Sequence, residues 1–141
     1  MKISARNILK GAVVAVAEGA VNGVVSIKIG DDVVKADITM EAIKSLGFAE
    51  GVEAFAIVKA SSVMFAAGSE KIAGISARKQ IAGTVVEVTE GAVNGHVAIE
   101  TASGARIKGS ITNEAIEALG LAQGAPAIAV VKSTDVMVGV E

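Results

Sequence analysis

The residues point to a mainly β protein, made of two similar five-stranded modules with one short helix each. Three observations carry the prediction. The chain nearly repeats itself, its apolar residues fall in short Val- and Ala-rich runs broken by Gly, and each repeat holds a single helix-start signature. Ser4-Ala5-Arg6 returns as Ser76-Ala77-Arg78, and Glu18-Gly19-Ala20-Val21-Asn22-Gly23 returns unchanged from Glu90 to Gly95. Ile38-Thr39, Glu41-Ala42-Ile43 and Leu46-Gly47 return as Ile111-Thr112, Glu114-Ala115-Ile116 and Leu119-Gly120. Val58-Lys59 with Val63-Met64 returns as Val131-Lys132 with Val136-Met137. About half of the aligned positions are identical, with one inserted residue assigned near Asp37/Gly109. The expected domains are residues 1–68 and 72–141.

In the first module, Ile8 to Val16 reads as a long strand, with Gly11 marking a bend or bulge. Asn22-Gly23 favours a tight hairpin, since both residues tolerate positive φ. Val25, Ile27 and Ile29 alternate with polar neighbours and give a second strand. Gly30-Asp31-Asp32 turns the chain into a third, Val33 to Ile38. Thr39 is a helix N-cap, Glu41 suits the first turn, Ile43 and Leu46 share a face, and Gly47 fits the C′ position. Val52 to Lys59 is a fourth strand, Val63 to Phe65 a fifth, and Ala66 to Ile75 the linker. The order is that of an OB-like barrel with its helix between strands three and four. An open α+β sheet is the competitor.

Composition narrows function. Hydrophobic residues make up 52% of the chain and aromatic ones 2%, so the cores are built of Val, Ile and Ala. Such small modules leave apolar surface to be hidden between modules or chains. Net charge is −2 and is spread evenly, which gives no long-range attraction for nucleic acid or lipid. Without Cys there is no disulfide framework, zinc ribbon or thiol chemistry. The longest uncharged stretch, Ala118 to Val131, is broken by Gly120, Gly124 and Pro126 and is too short to span a bilayer. Lys2, Arg6 and Lys10 before Gly11 to Ala17 look like a signal peptide. Ser76 to Val88 is the same segment in mid-chain, so both are read as first strands and a cytoplasmic location is expected.

The polar residues that recur point to an anion. In an OB-like barrel, strands one and four pair antiparallel. That sets Ser4-Ala5-Arg6 beside Lys59-Ala60-Ser61, and Ser76-Ala77-Arg78 beside Lys132-Ser133-Thr134. A guanidinium fork, an ammonium, hydroxyls and strand-end amides suit a small oxyanion. Solvated strand ends are the plainer reading. Thr39 and Thr112 open helices whose first N–H groups form a potential anion site, or are ordinary caps. His96 stands where the first module has Val24 and is read as a surface residue; Met40, Met64 and Met137 are read as packing, and Pro126 as an exposed edge. There is no phosphate loop, nucleophile–base pair or carboxylate pair, so an enzyme is not expected. Stacking aromatics and a basic groove are missing too, which counts against nucleic acid.

With these four motifs in register, twice, the chain resembles the Mop-domain proteins, the molbindins, over both modules. The resemblance implies a homotrimer of tandem barrels that binds molybdate or tungstate between barrels, with no catalytic cofactor. It implies lateral sites at Ser4, Ala5, Arg6, Lys59 and Ser61, and at Ser76, Ala77, Arg78, Lys132 and Thr134, with Thr39 and Thr112 supplied by a neighbouring module. Many relatives carry Ser where this chain has Ala42 and Ala115, so only backbone donors remain there. It also implies threefold-axis sites at Val21-Asn22 and Val93-Asn94. The role implied is oxyanion storage, buffering and homeostasis; an OB-like module for nucleic acid or a partner protein is the alternative.

Overall fold

The computed structural model describes residues 1–77 and 79–141. Among the described residues, ten strands and two short helices follow the predicted order twice. The first round is β1 (Asn7–Ala17), β2 (Asn22–Ile29), β3 (Asp32–Thr39), α1 (Met40–Leu46), β4 (Glu53–Val58) and β5 (Met64–Ala67). The second is β6 (Gln80–Glu90), β7 (Asn94–Glu100), β8 (Arg106–Thr112), α2 (Asn113–Ala118), β9 (Pro126–Val130) and β10 (Met137–Gly139). A single 3₁₀ turn precedes each last strand, at Ala60–Ser62 and at Ser133–Asp135.

The last strands are exchanged. One five-stranded sheet runs β10-β4-β1-β2-β3 and the other β5-β9-β6-β7-β8, all pairs antiparallel. The exchange keeps register: Met137 pairs with Ile57 of β4, and its equivalent Met64 pairs with Val130 of β9. The compact units are therefore Met1–Val58 with Lys132–Glu141, and Lys59–Val131. They differ from the sequence repeats in which copy of the last strand each contains. Within the first unit β3 comes close to β10, and within the second β8 comes close to β5, giving each sheet the closure of an OB-like barrel.

Each core is made where the strand alternation points inward. Val25 and Ile27 of β2, Ala36 of β3 and Ala54 and Ala56 of β4 are fully buried, as are Val97 and Ile99 of β7 and Ala127 and Ile128 of β9. Both first strands carry a bulge at the same place, between Val13 and Ala15 and between Val85 and Glu87. Gly11 does not make it. A Cβ on Gly11 would run into the carbonyl oxygen of Lys28, and one on Gly83 would lie 2.6 Å from that of Glu100, so these glycines let the second strand cross close.

Three further readings change. The inserted residue lies in the turn between strands two and three: residues 29–32 separate the paired Lys28 and Val33 in one unit, while residues 101–105 separate the equivalent pair Glu100 and Arg106 in the other. Pro126 opens a central strand, between β5 and β6, rather than marking an edge, and its carbonyl accepts from the Gly68 N–H at 3.2 Å. Met40 is buried, but Met64 and Met137 are exposed at equivalent positions. The linker is also tied down. Buried Gln80 accepts from the Ile72 N–H at 2.8 Å and donates to the carbonyls of Ile72 and Ala77 at 2.8 and 2.9 Å.

Candidate functional site

The candidate residues fall into two regions of each unit. The first is the end of the β1–β4 ladder. Its terminal pair is Asn7 with Val58, and Asn7 is 2% exposed, donating through Nδ2 to the Val58 carbonyl at 3.2 Å. That bond fastens the start of β1, so Ser4-Ala5-Arg6 enters from a fixed point with Ala5 tucked in and Ser4 and Arg6 exposed. Lys59 follows Val58 directly along the chain and begins the Ala60–Ser62 turn in extended conformation, its side chain exposed.

The exchange of last strands decides what else arrives there. Because Met137 pairs with Ile57, the turn Ser133–Asp135 lies at this same end of the first unit and packs on β3. The first unit thus holds Ser4, Ala5, Arg6, Thr39, Lys132 and Thr134. The second holds Lys59, Ser61, Ser76, Ala77 and Thr112, with the Ala60–Ser62 turn packed on β8. Arg78 lies outside the described residues. Nothing local in Lys59-Ala60-Ser61 or Lys132-Ser133-Thr134 marks which sheet the following strand joins.

The second region is the opposite end of β1. Val24 pairs with Ala17 at that end, and Thr39 pairs with Asn22 beyond it. An eleven-residue strand is up to about 30 Å long. Thr39 and Arg6 of one unit therefore stand at opposite ends of the barrel. Thr39 caps α1: its Oγ1 accepts from the Ala42 N–H at 3.1 Å, and Thr112 does the same for Ala115 at 3.1 Å. Gly47, in left-handed conformation at φ 71°, closes α1. The Met40 N–H donates to the Val21 carbonyl at 2.8 Å, and that of Asn113 to Val93 at 2.8 Å. Two first-turn amides of each helix are thus already used, and the anion donors read at Ala42 and Ala115 are engaged by their own caps. The threonine hydroxyl proton remains to be donated.

These bonds join the helix start and the hairpin turn into one corner. The identity of Glu18 to Gly23 with Glu90 to Gly95 has a packing cause in part. Gly23 is not at positive φ, contrary to the turn reading. A Cβ there would lie 2.6 Å from Ile43 Cδ1 and 2.8 Å from Met40 Sδ, and one on Gly95 would meet Ile116 Cδ1 at 2.7 Å. Glycine lets the helix sit on the hairpin. The packing does not account for Val21 and Val93, which are 75% and 71% exposed at the tips. Asn22 donates through Nδ2 to Asp37 Oδ1 at 3.2 Å.

Two residues escaped sequence reasoning: Asn7, which read as one polar residue in a strand, and Asp37, whose partner is set by cross-strand register. His96 is exposed on β7. Among the described residues no group of three or more His, Cys, Asp or Glu side chains is placed to hold a metal cation, and no helix is long and apolar enough to cross a membrane.

Comparison with known proteins fits this two-part architecture. The family model of the TOBE domain matches twice, at residues 3–65 and 75–138. The chain belongs to the TOBE-domain family. Its two TOBE domains stand in tandem and are of the Mop type, the relation the motifs implied. The chain is 39% identical over 138 residues to the molybdenum-pterin-binding protein MopA of Rhodobacter capsulatus, covering 97% of this chain and 52% of that one. It is 51% identical over 65 residues to a probable molybdenum-pterin-binding protein of Haemophilus influenzae, covering 45% of this chain and 94% of that one. The chain spans about half the length of MopA and of the molybdenum transport protein ModE of Azotobacter vinelandii. A crystal structure of the cytoplasmic molybdate-binding protein ModG with molybdate bound matches with a TM-score of 0.95 and 44% identity over 100% of both chains. The tandem TOBE architecture, mainly β and OB-like, is thus shared across the whole length.

Proposed function

We propose that this protein binds molybdate, or tungstate of like shape and charge, and acts as a cytoplasmic store or buffer that releases the oxyanion unchanged. The observation that carries the reading is the likeness, over the whole of both chains, to ModG with molybdate bound. The lateral sites are assigned to Ser4, Ala5, Arg6, Lys59, Ser61, Ser76, Ala77, Arg78, Lys132 and Thr134, with Thr39 and Thr112 supplied by a neighbouring module. A tetrahedral dianion needs several fixed donors, because a half-solvated one gains little over water. Arginine offers two parallel N–H groups, lysine a point charge, and the hydroxyls fill the remaining directions.

The position of Thr39 supports sharing between copies. It stands at the far end of β1 from Arg6, so a site using both takes them from different barrels. A homotrimer is the assembly proposed, with Val21-Asn22 and Val93-Asn94 gathered on its axis. Two valines about three-quarters exposed at equivalent tips favour such burial. Equilibrium dialysis against molybdate, with sulfate and phosphate as competitors and light scattering on the same samples, tests the proposal. Expected are retained molybdate in the presence of excess sulfate and a trimeric mass. Absence of bound molybdate rejects the function, and a stable monomer that binds tightly rejects the shared sites.

A further inference from the structure

The two hairpin corners are built from nearly the same residues, which makes their differences informative. The hairpin Glu-Gly-Ala-Val-Asn-Gly, the capping threonine and the first-turn Glu41 or Glu114 are common to both. Lys35 and Lys108 stand two residues before the strand position in question and are also common. At that position the corners diverge. Asp37 pairs with Val24 in the first unit, whereas Ser110 pairs with His96 in the second.

We infer that the two corners are unequal oxyanion sites, Asp37 disfavouring an anion at Val21-Asn22 and Ser110 permitting one at Val93-Asn94. The inference rests on the reading of these tips as axial sites. Asp37 acts twice. Its Oδ1 takes a hydrogen bond from Asn22 Nδ2 at 3.2 Å, so an amide proton that would meet the oxyanion is already directed at a carboxylate. The carboxylate also repels a dianion, and threefold symmetry would bring three copies of it around one axis. Ser110 carries no charge and keeps a hydroxyl donor, and His96 beside it adds ring donor capacity. One nearby difference runs the other way, Lys44 against Glu117. Both lie in the last turns of the helices, away from the tip and open to screening.

The test is molybdate binding by isothermal titration calorimetry at neutral pH on the full chain and four variants. Asp37→Ser and the isosteric Asp37→Asn should each tighten the first corner by roughly tenfold, or make one more site per trimer measurable. Ser110→Asp should weaken the second corner by a similar factor. Asn94→Ala reports on the corner itself. If Asn94→Ala lowers binding while both Asp37 variants and Ser110→Asp leave the isotherm unchanged, the inequality is wrong and the axial reading stands. If Asn94→Ala leaves binding unchanged, the axial reading fails and the inference falls with it. Circular dichroism separates misfolding of Ser110→Asp from loss of binding, and Asp37→Asn carries the test if that variant does not fold.

Discussion

Phe65 of β5 lays its ring against Gly109 of β8, so closely that a Cβ on Gly109 would collide with ring atoms Cε2 and Cζ, the latter at 2.9 Å. In the first unit the equivalent positions are Val138 of β10 and Ala36 of β3. A large side chain is matched to glycine in one barrel, and a smaller one to alanine in the other. Gly109→Ala should destabilise the protein by ~1–3 kcal/mol through overpacking. Adding Phe65→Val should recover most of that loss. Chemical denaturation of both single variants and the double variant measures the coupling, and strictly additive effects would remove the size-matching account.

The exchange of last strands bears on whether one repeat is self-sufficient. Residues 1–68 contain β1 to β5 but not β10, which completes the sheet of β1 to β4 in the full chain. Expressed alone, this fragment is expected to elute as a dimer or larger species in which a second copy supplies the missing strand. Size-exclusion chromatography with light scattering decides it. A stable, folded monomer would mean that β5 folds back onto its own repeat.

Arg6→Ala and Arg78→Ala are each expected to weaken one set of lateral sites and leave the fold intact. Loss of a charge-assisted hydrogen bond of ~1.5–3 kcal/mol corresponds to roughly a ten- to hundredfold change in affinity. Full stoichiometry and unchanged affinity in the double variant would show that neither guanidinium contacts the oxyanion.

Asn7 reaches the same region by another route. It is buried and bonded to the Val58 carbonyl, so Asn7→Ala should lower stability by ~1–3 kcal/mol and loosen the entry of Ser4-Ala5-Arg6. Thermal unfolding gives the first effect and molybdate titration the second. A variant as stable as the parent would show that the strand pairing alone holds this end.

The first helix residues differ in a way that stability can read. Asn113 donates through Nδ2 to the Gly91 carbonyl at 2.8 Å, but its buried Oδ1 has no hydrogen-bond partner among the described residues. Met40 fills the same position in the first unit and is buried beside Gly23. Asn113→Met should therefore raise stability by ~0.5–1.5 kcal/mol, since an unsatisfied buried acceptor is replaced by an apolar group. A lower unfolding midpoint would show that the Gly91 bond outweighs the unpaired oxygen.

Local residue patterns set the elements and the chemistry of the candidate residues. Alternation in Val25, Ile27 and Ile29, the Thr39 cap and the Gly47 stop act over a few residues, so they are legible without the fold. Repetition made the motifs specific, and the helix lies where its signature placed it. Tertiary structure alone decided the partners. Val63-Met64 and Val136-Met137 look alike, and a strand carries no mark of the sheet it will join; the room beside Gly109 and Ala36 is built by other strands. The same holds for Gly23, whose role depends on a helix seventeen residues later, and for Asp37, which meets Asn22 only through cross-strand register. Most of all, register put Arg6 and Thr39 at opposite ends of β1, because antiparallel pairing reverses direction at every turn. Local sequence fixes what each segment is, while long-range pairing fixes what it stands beside.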